Sequence, residues 1–414
     1  MKSFRNDFIK IFWENSRKYK GQNCIYIGGK YFSYEAFAKK VMSIYNRIDE
    51  AEGNKARIGV LSYKNVDTYA SILAILSYGS SYVPVNNKYP LLRNKNLLKK
   101  GAVKLLISSE ENEDILSYYK SSGIGIISSE TQENNLIDTI EPKVEQDEVY
   151  LMFTSGSTGE PKGVPVSNKN IDHFLSFMCN SGIYDFNEKD RFLQMFDLTF
   201  DASLMCMFVP LMKGACFYVP EDGPAYAKAI ELIEHKNLTV ALMVPSLLDY
   251  LRNYLQEITL PTLRYSFFGG ERLSVEMAKK WLNCVPNAIV ENLYGPTEAA
   301  IWCSRYRLII NEFSSQGNVS IGKLFSDMNY ILINEDNREV ESQGELCLAG
   351  EQVIGQYLNN ENSNSFFDNG GVRYYRTGDI VSLDDEKNLH FIGRLDNQLK
   401  INGYRVNLKR SNKI

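Results

Sequence analysis

The segment Leu151-Met-Phe-Thr-Ser-Gly-Ser-Thr-Gly-Glu-Pro-Lys-Gly-Val164 begins apolar and changes abruptly into glycines and hydroxyl residues. Its start predicts a buried strand over Val149–Phe153 that runs directly into a loop. Glycines let a backbone approach a ligand closely and point several N–H groups at one spot. The loop therefore predicts a polyphosphate site, to which the following residues are assigned: Thr154, Ser155, Gly156, Ser157, Thr158, Gly159 and Lys162.

Two other interpretations of this loop are weaker. A flexible linker rich in glycine and serine rarely follows a buried strand directly. The P-loop pattern GxxxxGK[ST] also fails, because Pro161 stands where its second glycine belongs and Gly163 follows the lysine. The segment thus indicates a phosphate loop of a different type from that of P-loop NTPases.

The rest of the chain alternates between helical and strand patterns. A helix is predicted over residues 33–50 after a Ser33 cap, and the other predicted elements are a strand at Ile58–Ser62, a helix at Val66–Tyr78 ended by Gly79, and strands at Lys104–Ser108 and Gly125–Ser128. Such alternation predicts an α/β fold with parallel sheets covered by helices. Residues 109–148 are polar and are expected to hold surface loops. Residues 320–393 read as strands punctuated by glycines, which indicates a small β-rich unit.

Composition excludes several classes of function. The chain has 414 residues and a net charge of -4, which argues against a nucleic-acid binder, since such binding needs clustered positive charge. Its three histidines are far apart in sequence, so a histidine-rich metal centre is not expected. The seven cysteines are scattered without a CxxC pair, which favours reduced, buried thiols in a cytoplasmic protein. We found no uninterrupted apolar stretch long enough for a membrane span.

Five further motifs lie along the chain, one before the glycine-rich loop and four after it. They are Gly79–Val85, Asn292-Leu-Tyr-Gly-Pro-Thr-Glu298, Gly344–Gly350, Tyr375-Arg-Thr-Gly-Asp379 and Gly393–Arg405. Together with the loop they resemble the adenylate-forming superfamily, over residues 30–405 of this chain. That superfamily includes peptide-synthetase adenylation domains, acyl-CoA and aryl-CoA ligases, and D-alanine–carrier-protein ligases. The chain looks most like an amino-acid adenylation domain of the nonribosomal peptide synthetase type.

The resemblance implies an organisation into domains. It gives an adenylation core over 1–395 with two helix-covered, mainly parallel sheets and a small β-barrel-like subdomain at about 320–393, followed by a hinge and stub over 396–414. In the family a C-terminal lobe rotates about a hinge aspartate, matched here by Asp396, and supplies a lysine. The sequence ends soon after Asn407, so we expect this lobe to be absent. A truncated product, a second polypeptide carrying the lobe, and a remnant that binds nucleotide without turnover all stay open.

The implied cofactors are ATP and Mg²⁺, and the residue types fit them. Asn292 offers a donor and an acceptor to an adenine edge, and Tyr294 offers a flat face for stacking. Asp379 can accept from two ribose hydroxyls, and Arg394 can assist at the ribose or phosphate. Glu298 is a hard oxygen ligand suited to Mg²⁺. The resemblance adds the nucleotide contacts Gly270, Gly295 and Thr297, and the candidate catalytic residues are Thr154, Lys162 and Glu298.

The resemblance also implies a substrate pocket. Asp201 stands where amino-acid-specific members place an aspartate for the α-ammonium, and a charge-assisted hydrogen bond there contributes roughly 1.5–3 kcal/mol. A helix cap is the alternative role for Asp201. The other walls carried over by position are Ala202, Met205, Leu242, Phe267, Gly269, Leu293, Ile301 and Trp302. This lining is apolar and crowded, which favours glycine first and alanine next.

The implied reaction forms an aminoacyl-AMP and pyrophosphate, after which the aminoacyl group passes to the phosphopantetheine thiol of a peptidyl or acyl carrier protein. The expected partners are therefore a small amino acid and a carrier protein, with neither nucleic acid nor membrane. Three alternatives remain at this point: a catalytically incomplete nucleotide-binding protein, a D-alanine–carrier-protein ligase, and an acyl-CoA or aryl-CoA ligase.

Overall fold

The structure is a computed structural model that describes residues 4–130, 143, 146–155, 160–309, 317–361, 363–396, 398–401 and 404–407. Its α-helices are α1 (Phe4–Lys18), α2 (Tyr34–Glu50), α3 (Val66–Tyr78), α4 (Leu91–Lys100), α5 (Glu113–Lys120), α6 (Asn168–Asn180), α7 (Ala202–Lys213), α8 (Ala225–His235), α9 (Ser246–Tyr250) and α10 (Val275–Cys284). The first strands are β1 (Asn23–Ile27), β2 (Lys30–Ser33), β3 (Arg57–Ser62), β4 (Ser81–Asn86), β5 (Leu105–Ser108), β6 (Gly125–Ser128), β7 (Glu148–Thr154), β8 (Lys162–Ser167), β9 (Arg191–Leu193), β10 (Cys216–Tyr218), β11 (Val240–Met243) and β12 (Tyr265–Gly269). The remaining strands are β13 (Ile289–Tyr294), β14 (Ser304–Arg307), β15 (Lys323–Leu324), β16 (Met328–Ile333), β17 (Glu339–Val340), β18 (Gln343–Gly350), β19 (Phe366–Asn369), β20 (Val372–Leu383), β21 (Leu389–Arg394), β22 (Gln398–Ile401) and β23 (Tyr404–Asn407).

The chain divides into two compact units. The first comprises residues 1–153, 163–190 and 196–221. It contains a six-stranded sheet in the order β6-β5-β3-β4-β7-β8, in which β3 to β7 pair in parallel. In the same unit β1 pairs in parallel with β10 and antiparallel with β2. Strands β3, β4 and β5 are buried almost throughout, as expected for a parallel sheet whose two faces are both covered.

The second unit comprises residues 154–162, 191–195 and 222–414. Its strands β9, β11, β12 and β13 run in parallel, and β14 and β15 continue the sheet antiparallel. Ligands of open parallel sheets bind outside the carboxyl ends of the strands. In this unit those ends bring Met243, Gly269 and Tyr294 to one edge of the sheet.

A separate antiparallel sheet follows within the second unit. Its order is β17-β16-β18-β20-β19, with β21 paired to β20. Side chains from one face of this sheet form a small apolar core of Ile331, Ile333, Cys347, Ala349 and Tyr374. Strands β22 and β23 form an antiparallel hairpin.

The predicted α/β class with helix-covered, mostly parallel sheets is confirmed. The prediction of loops across residues 109–148 is wrong in part, because Glu113–Lys120 forms α5. Asn112 caps that helix by accepting from the Asp114 N–H, and Tyr119 anchors it in the core. Most residues of α5 are polar because the helix buries only a narrow face. A polar stretch can therefore hold a short, capped surface helix.

Helices α2 and α3 show why the first unit folds locally as predicted. The Ser33 hydroxyl accepts from the Ala36 N–H and starts α2. The Asn65 side chain caps α3 in the same way, and Gly79 ends it in the left-handed region at φ 94°. Helix α3 is apolar all round and buried along its length, which is typical of a helix enclosed by other elements.

Replacing Ser33 by Ala is expected to lower the free energy of unfolding by about 1 kcal/mol, because the Ala36 N–H then loses its acceptor. Urea denaturation followed by circular dichroism measures the change. Ser33→Asn is the matched control, since asparagine caps helices as well as serine does. Equal losses in both variants would mean that the cap does not hold α2.

All seven cysteines are buried and unpaired in disulfides. Burial raises the pKa of thiols such as that of Cys206, which keeps them protonated. Across the described residues we find no helix with the length and apolar character to cross a membrane.

Candidate active site

The glycine-rich loop is described at its two ends. Thr154 is the last residue of β7, and Lys162 is the first residue of β8. The predicted phosphate contacts Gly156, Ser157, Thr158 and Gly159 lie outside the described residues, whereas Ser155 is described. The Thr154 hydroxyl oxygen is buried and has no hydrogen-bond partner within the part of the chain that the structure describes. A buried hydroxyl in that state suits a ligand oxygen.

Lys162 and Glu298 meet the same tyrosine side chain. The Lys162 Nζ lies 5.0 Å from the ring centroid of Tyr357. The Tyr357 hydroxyl donates to Glu298 Oε1 over 2.8 Å. The Glu298 residue is only 1% exposed, so its carboxylate is almost fully removed from water. The predicted loop lysine and the predicted metal ligand are thus brought into one cluster.

Glu298 is carried by a short 3-10 helix, Thr297–Ala299, which follows β13. The segment after β18 holds the backbone of this turn. Ile354 donates its N–H to the Glu298 carbonyl oxygen over 2.9 Å. The buried Gln352 amide nitrogen donates to the Ala299 carbonyl oxygen over 2.7 Å, and also contacts two further carbonyl oxygens of the turn. Glu298 is therefore fixed through both its backbone and its side chain.

The residues after Glu298 adopt an unusual backbone. Ala300 and Ile301 have positive φ values of 48° and 81°. A β-branched residue such as Ile301 rarely adopts this region, and its conformation costs of the order of 1–3 kcal/mol. The turn folds back over Gly295, where a Cβ would lie 2.4 Å from the Ile301 carbonyl oxygen. Glycine is thus required at position 295 by close backbone approach.

The adenine candidates occupy the end of β13. Asn292 is buried, and its amide nitrogen donates to the Ser320 carbonyl oxygen over 2.9 Å. Its amide oxygen is buried without a hydrogen-bond partner among the residues described. An acceptor in that state suits the exocyclic amino group of a purine. The ring of Tyr294 is mostly buried.

The ribose candidate Asp379 is held by two neighbours. The Tyr294 hydroxyl donates to Asp379 Oδ2 over 2.6 Å, and the Arg394 guanidinium donates to Oδ1. A carboxylate offers about four lone pairs, so acceptor capacity remains for ribose hydroxyls. Burial and the Asp379 carboxylate raise the pKa of Tyr294 well above its usual value, which keeps this tyrosine a donor.

Arg394 links the ribose candidate to the predicted hinge. Its Nε donates to Asp396 Oδ1 over 2.7 Å, and its Nη2 to Asp396 Oδ2 over 3.2 Å. A Cβ at Gly378 would lie 2.9 Å from Arg394 Nη2, so glycine leaves the guanidinium its place. The sequence assigned Arg394 and Asp396 separate roles, and the structure pairs them.

The donor set fits a nucleotide with its magnesium ion. Thr154 and Asn292 present buried polar oxygens without protein partners among the described residues, and Glu298 presents a buried carboxylate. Within those residues, no group of three or more His, Cys, Asp or Glu side chains could hold a metal. Mg²⁺ is usually held by one or two carboxylates plus substrate phosphates, so a single glutamate suffices.

The size-determining candidates of the second unit share one face of its parallel sheet. Leu242 on β11 pairs with Phe267 on β12, and Gly269 pairs with Leu293 on β13. A Cβ at Gly269 would lie 2.6 Å from a ring carbon of Trp302. These residues and Ile301 are all buried. The Trp302 ring therefore fills the space that glycine leaves at position 269.

Two further nucleotide candidates of the second unit, Gly270 and Thr297, lie next to regular elements. Gly270 follows β12 with φ 85°, and in the part of the chain that the structure describes no atom beyond its chain neighbours lies within 4 Å of the Cβ position. Thr297 begins the 3-10 helix that carries Glu298.

Asp201, Ala202 and Met205 belong to the first unit, at the start of α7. Asp201 occupies the N-cap position, yet its side chain makes no capping hydrogen bond. The alternative role as a helix cap is thus not supported by the geometry. Asp197, four residues earlier, accepts from the Thr199 N–H over 2.9 Å, in the turn before α7. Burial, and to a smaller extent the Asp201 carboxylate, raise the pKa of Tyr82 well above its usual value.

The sequence did not identify Gln352 or Tyr357. Both lie in the short segment after the Gly344–Gly350 block. This segment contains no motif that marks either residue as part of a site. Their contacts reach 50 and 59 residues back along the chain. Local spacing carries no information about such partners.

Comparison with protein families places these motifs in context. The sequence profile described as AMP-binding enzyme matches residues 12–358. Tyrocidine synthase 1 of Brevibacillus parabrevis is 28% identical over 411 residues, which cover 96% of this chain and 37% of that protein. A D-alanine–D-alanyl carrier protein ligase of Streptococcus agalactiae is 30% identical over 363 residues, covering 86% of this chain and 71% of the ligase.

Solved structures agree with the sequence relatives. The Vibrio cholerae adenylation domain AlmE, in complex with glycyl-adenosine-5'-phosphate, superposes with a TM-score of 0.85 at 27% identity. The match covers 99% of this chain and 82% of AlmE. This similarity extends through the chain, including the strands that carry Asn292, Tyr294 and Asp379.

Proposed function

Because the chain belongs to the AMP-binding enzyme family, we propose that it catalyses the ATP-dependent adenylation of a small amino acid. A carboxylate oxygen of the substrate attacks the α-phosphorus of ATP and forms the acyl–phosphate bond. The bond from the α-phosphorus to the bridging oxygen of the β-phosphate breaks, and pyrophosphate leaves with that oxygen and its electron pair. The product is an aminoacyl-AMP.

One observation carries the proposal. The amide oxygen of Asn292 is buried and has no hydrogen-bond partner among the residues that the structure describes, and Asn292 lies two residues before Tyr294, whose hydroxyl donates to Asp379. An acceptor for a purine amino group and a carboxylate for ribose hydroxyls are therefore connected through Tyr294. This arrangement suits an adenosine moiety. We assign adenine contact to Asn292 and Tyr294, and ribose contact to Asp379.

Three other residues of the second unit are assigned to the phosphates and the metal ion. We assign phosphate binding to Thr154 and Lys162, and the magnesium ion to Glu298. When bound, the metal would offset phosphate charge as it develops in the transition state. The protein's own contribution is positioning: Glu298 is fixed from its backbone and its side chain, so little reorganisation is needed during reaction.

The substrate assignment rests on separate features of the chain. We propose that Asp201 pairs with an α-ammonium, since it starts α7 without serving as its cap. We expect the Trp302 ring, which lies against Gly269, to limit the substrate side chain to a hydrogen or a methyl group. AlmE, whose structure holds a glycyl adenylate, supports glycine as the first candidate. The carrier-protein ligase supports alanine as the second, and a carrier-protein thiol as acceptor.

Amino-acid-dependent ATP–pyrophosphate exchange tests the proposed function. The twenty amino acids and D-alanine are compared, using this chain and a form extended by a C-terminal lobe. We expect exchange to be strongest with glycine or alanine. Exchange only with a carboxylic acid lacking an amine would refute an amino-acid substrate. A clear preference for D-alanine over glycine would select the carrier-protein ligase activity.

Replacing Trp302 by Phe is expected to shift the ratio of exchange rates toward alanine over glycine by about tenfold. The smaller ring opens space where Trp302 meets Gly269, and one methyl group is worth roughly 10–200-fold in discrimination. Trp281→Phe is the matched control, because Trp281 is fully buried and donates to Ser266, away from Gly269. An unchanged ratio of exchange rates in Trp302→Phe would mean that Trp302 does not line the substrate pocket.

A further inference from the structure

Tyr357 contacts both charged groups assigned to the phosphates and the metal. Resting on the proposed function, we propose that Tyr357 is the positioning residue that orients the Glu298 carboxylate for Mg²⁺ and fixes Lys162 beside it. The hydroxyl reaches Glu298 Oε1 at 2.8 Å, and the ring lies 5.0 Å from Lys162 Nζ. One side chain thus connects the glycine-rich loop to the turn that follows β13.

The hydrogen bond defines how the carboxylate is presented. Glu298 is almost completely buried, so its carboxylate is removed from bulk water. A donor on Oε1 fixes the rotation of the carboxylate plane and so the direction of both oxygens. Partners of metal ligands that act in this way commonly affect metal affinity by about 10–100-fold. Tyr357 is such a partner for Glu298.

The Tyr357 hydroxyl is the donor in this hydrogen bond, because an ionised carboxylate can only accept. The Tyr375 hydroxyl, 3.3 Å away, is a second polar neighbour of the Tyr357 hydroxyl.

The ring of Tyr357 is itself held in place. It is 2% exposed and packs edge-on against Phe366, with centroids 5.6 Å apart. Two residues of the same segment, Gln352 and Ile354, bond to the turn that carries Glu298. The hydroxyl and its acceptor are therefore fixed to each other by independent contacts.

The contact with Lys162 adds a second function to the same ring. An ammonium within about 6 Å of an aromatic centroid is attracted by the ring face. Tyr357 therefore contacts Lys162 through its ring and Glu298 through its hydroxyl. Because they meet through Tyr357, loss of the hydroxyl alone is expected to disturb the glutamate while leaving the lysine contact.

The test uses this chain and measures binding, which does not require turnover. Isothermal titration calorimetry gives ATP affinity across a Mg²⁺ series, and electron paramagnetic resonance gives the binding of Mn²⁺ in the presence of ATP. Tyr357→Phe removes the hydroxyl and keeps the ring. We expect the Mg²⁺ concentration for half-maximal ATP affinity to rise about tenfold, with AMP affinity in metal-free buffer unchanged within about twofold.

Tyr374→Phe is the matched control. Tyr374 is adjacent to Tyr375 on β20 but packs into the apolar core on the opposite face, where its ring stacks on Phe367. This variant should keep the Mg²⁺ dependence of the wild-type chain. Melting temperatures of both variants show whether folding is retained.

A double-mutant cycle with Glu298→Gln separates positioning from packing. If Tyr357 acts through Glu298, then Tyr357→Phe should not change the Mg²⁺ concentration for half-maximal ATP affinity any further when Glu298 is already replaced by Gln. Additive losses, or a Tyr357→Phe variant that matches the wild type, would overturn the inference while the proposed function stands. A wild-type chain whose ATP binding ignores Mg²⁺ would overturn both.

Discussion

Glu298→Gln is expected to lower the rate of amino-acid-dependent pyrophosphate exchange by about 100-fold, which corresponds to about 2.7 kcal/mol of transition-state stabilisation. Glutamine has the same shape and still accepts from Tyr357, so the fold is retained. What is lost is the negative charge of a side chain that is almost fully buried. In such surroundings a charge interacts strongly with a nearby ion, because water does not screen it.

The measurement compares exchange rates and the Mg²⁺ dependence of ATP affinity. Glu291→Gln is the matched control, since Glu291 is a buried glutamate on β13 that pairs with Arg305 over 2.7 Å. It should reduce the free energy of unfolding without changing the Mg²⁺ dependence. Should Glu298→Gln keep wild-type exchange, the metal would have to bind elsewhere and our assignment would be wrong.

The sequence could group the nucleotide candidates at β13 together, because they are local. Asn292, Tyr294 and Glu298 lie within seven residues, at the end of a strand and the start of a turn. A strand that ends at the carboxyl edge of a parallel sheet necessarily presents its last residues there. The structure places them together, and their roles remain predictions that the variants above test.

The contacts that hold this group could not be predicted in the same way. Gln352 and Tyr357 reach the turn only because the chain returns after β18, and the return path depends on the packing of the antiparallel sheet. Asp379 and Tyr294 are likewise 85 residues apart. A motif names residue types at fixed spacing and says nothing of which side chains meet across such distances.

Helix α5 shows a second limit of sequence reasoning. Its eight residues bury little more than Tyr119, so the apolar periodicity that signals a helix is too short to read. By contrast, α3 is longer, capped at both ends and ended by Gly79, and its predicted bounds are confirmed. Length and capping determine which elements a single sequence reveals.

Gly295→Ala is expected to lower the free energy of unfolding by about 3 kcal/mol and to abolish measurable ATP binding. The added Cβ would lie 2.4 Å from the Ile301 carbonyl oxygen and 2.7 Å from the Trp302 Cα. Both are backbone atoms, so no side-chain rotation relieves the collision, and overpacking of this kind costs about 1–3 kcal/mol or more. Any backbone shift would also move Tyr294 and Glu298, which flank the glycine.

Urea denaturation and calorimetry with ATP measure the two effects. Gly355→Ala is the matched control, because among the described residues no atom beyond its chain neighbours lies within 4 Å of the Cβ position there. It should leave both quantities unchanged within about 0.5 kcal/mol. Wild-type stability in Gly295→Ala would show that the turn can move aside without loss.

The size of the Gly295 effect depends on how firmly the turn is held, and Gln352 is one of the residues that hold it. Its amide donates to the Ala299 and Ala300 carbonyl oxygens and also contacts that of Trp302. Gln352→Ala should therefore let the turn yield to the new methyl group. The double variant Gly295→Ala/Gln352→Ala is expected to lose less free energy of unfolding than the sum of the single variants, because contacting residues are not additive. Strict additivity would mean that the strained backbone at Ile301 is stabilised by contacts other than Gln352.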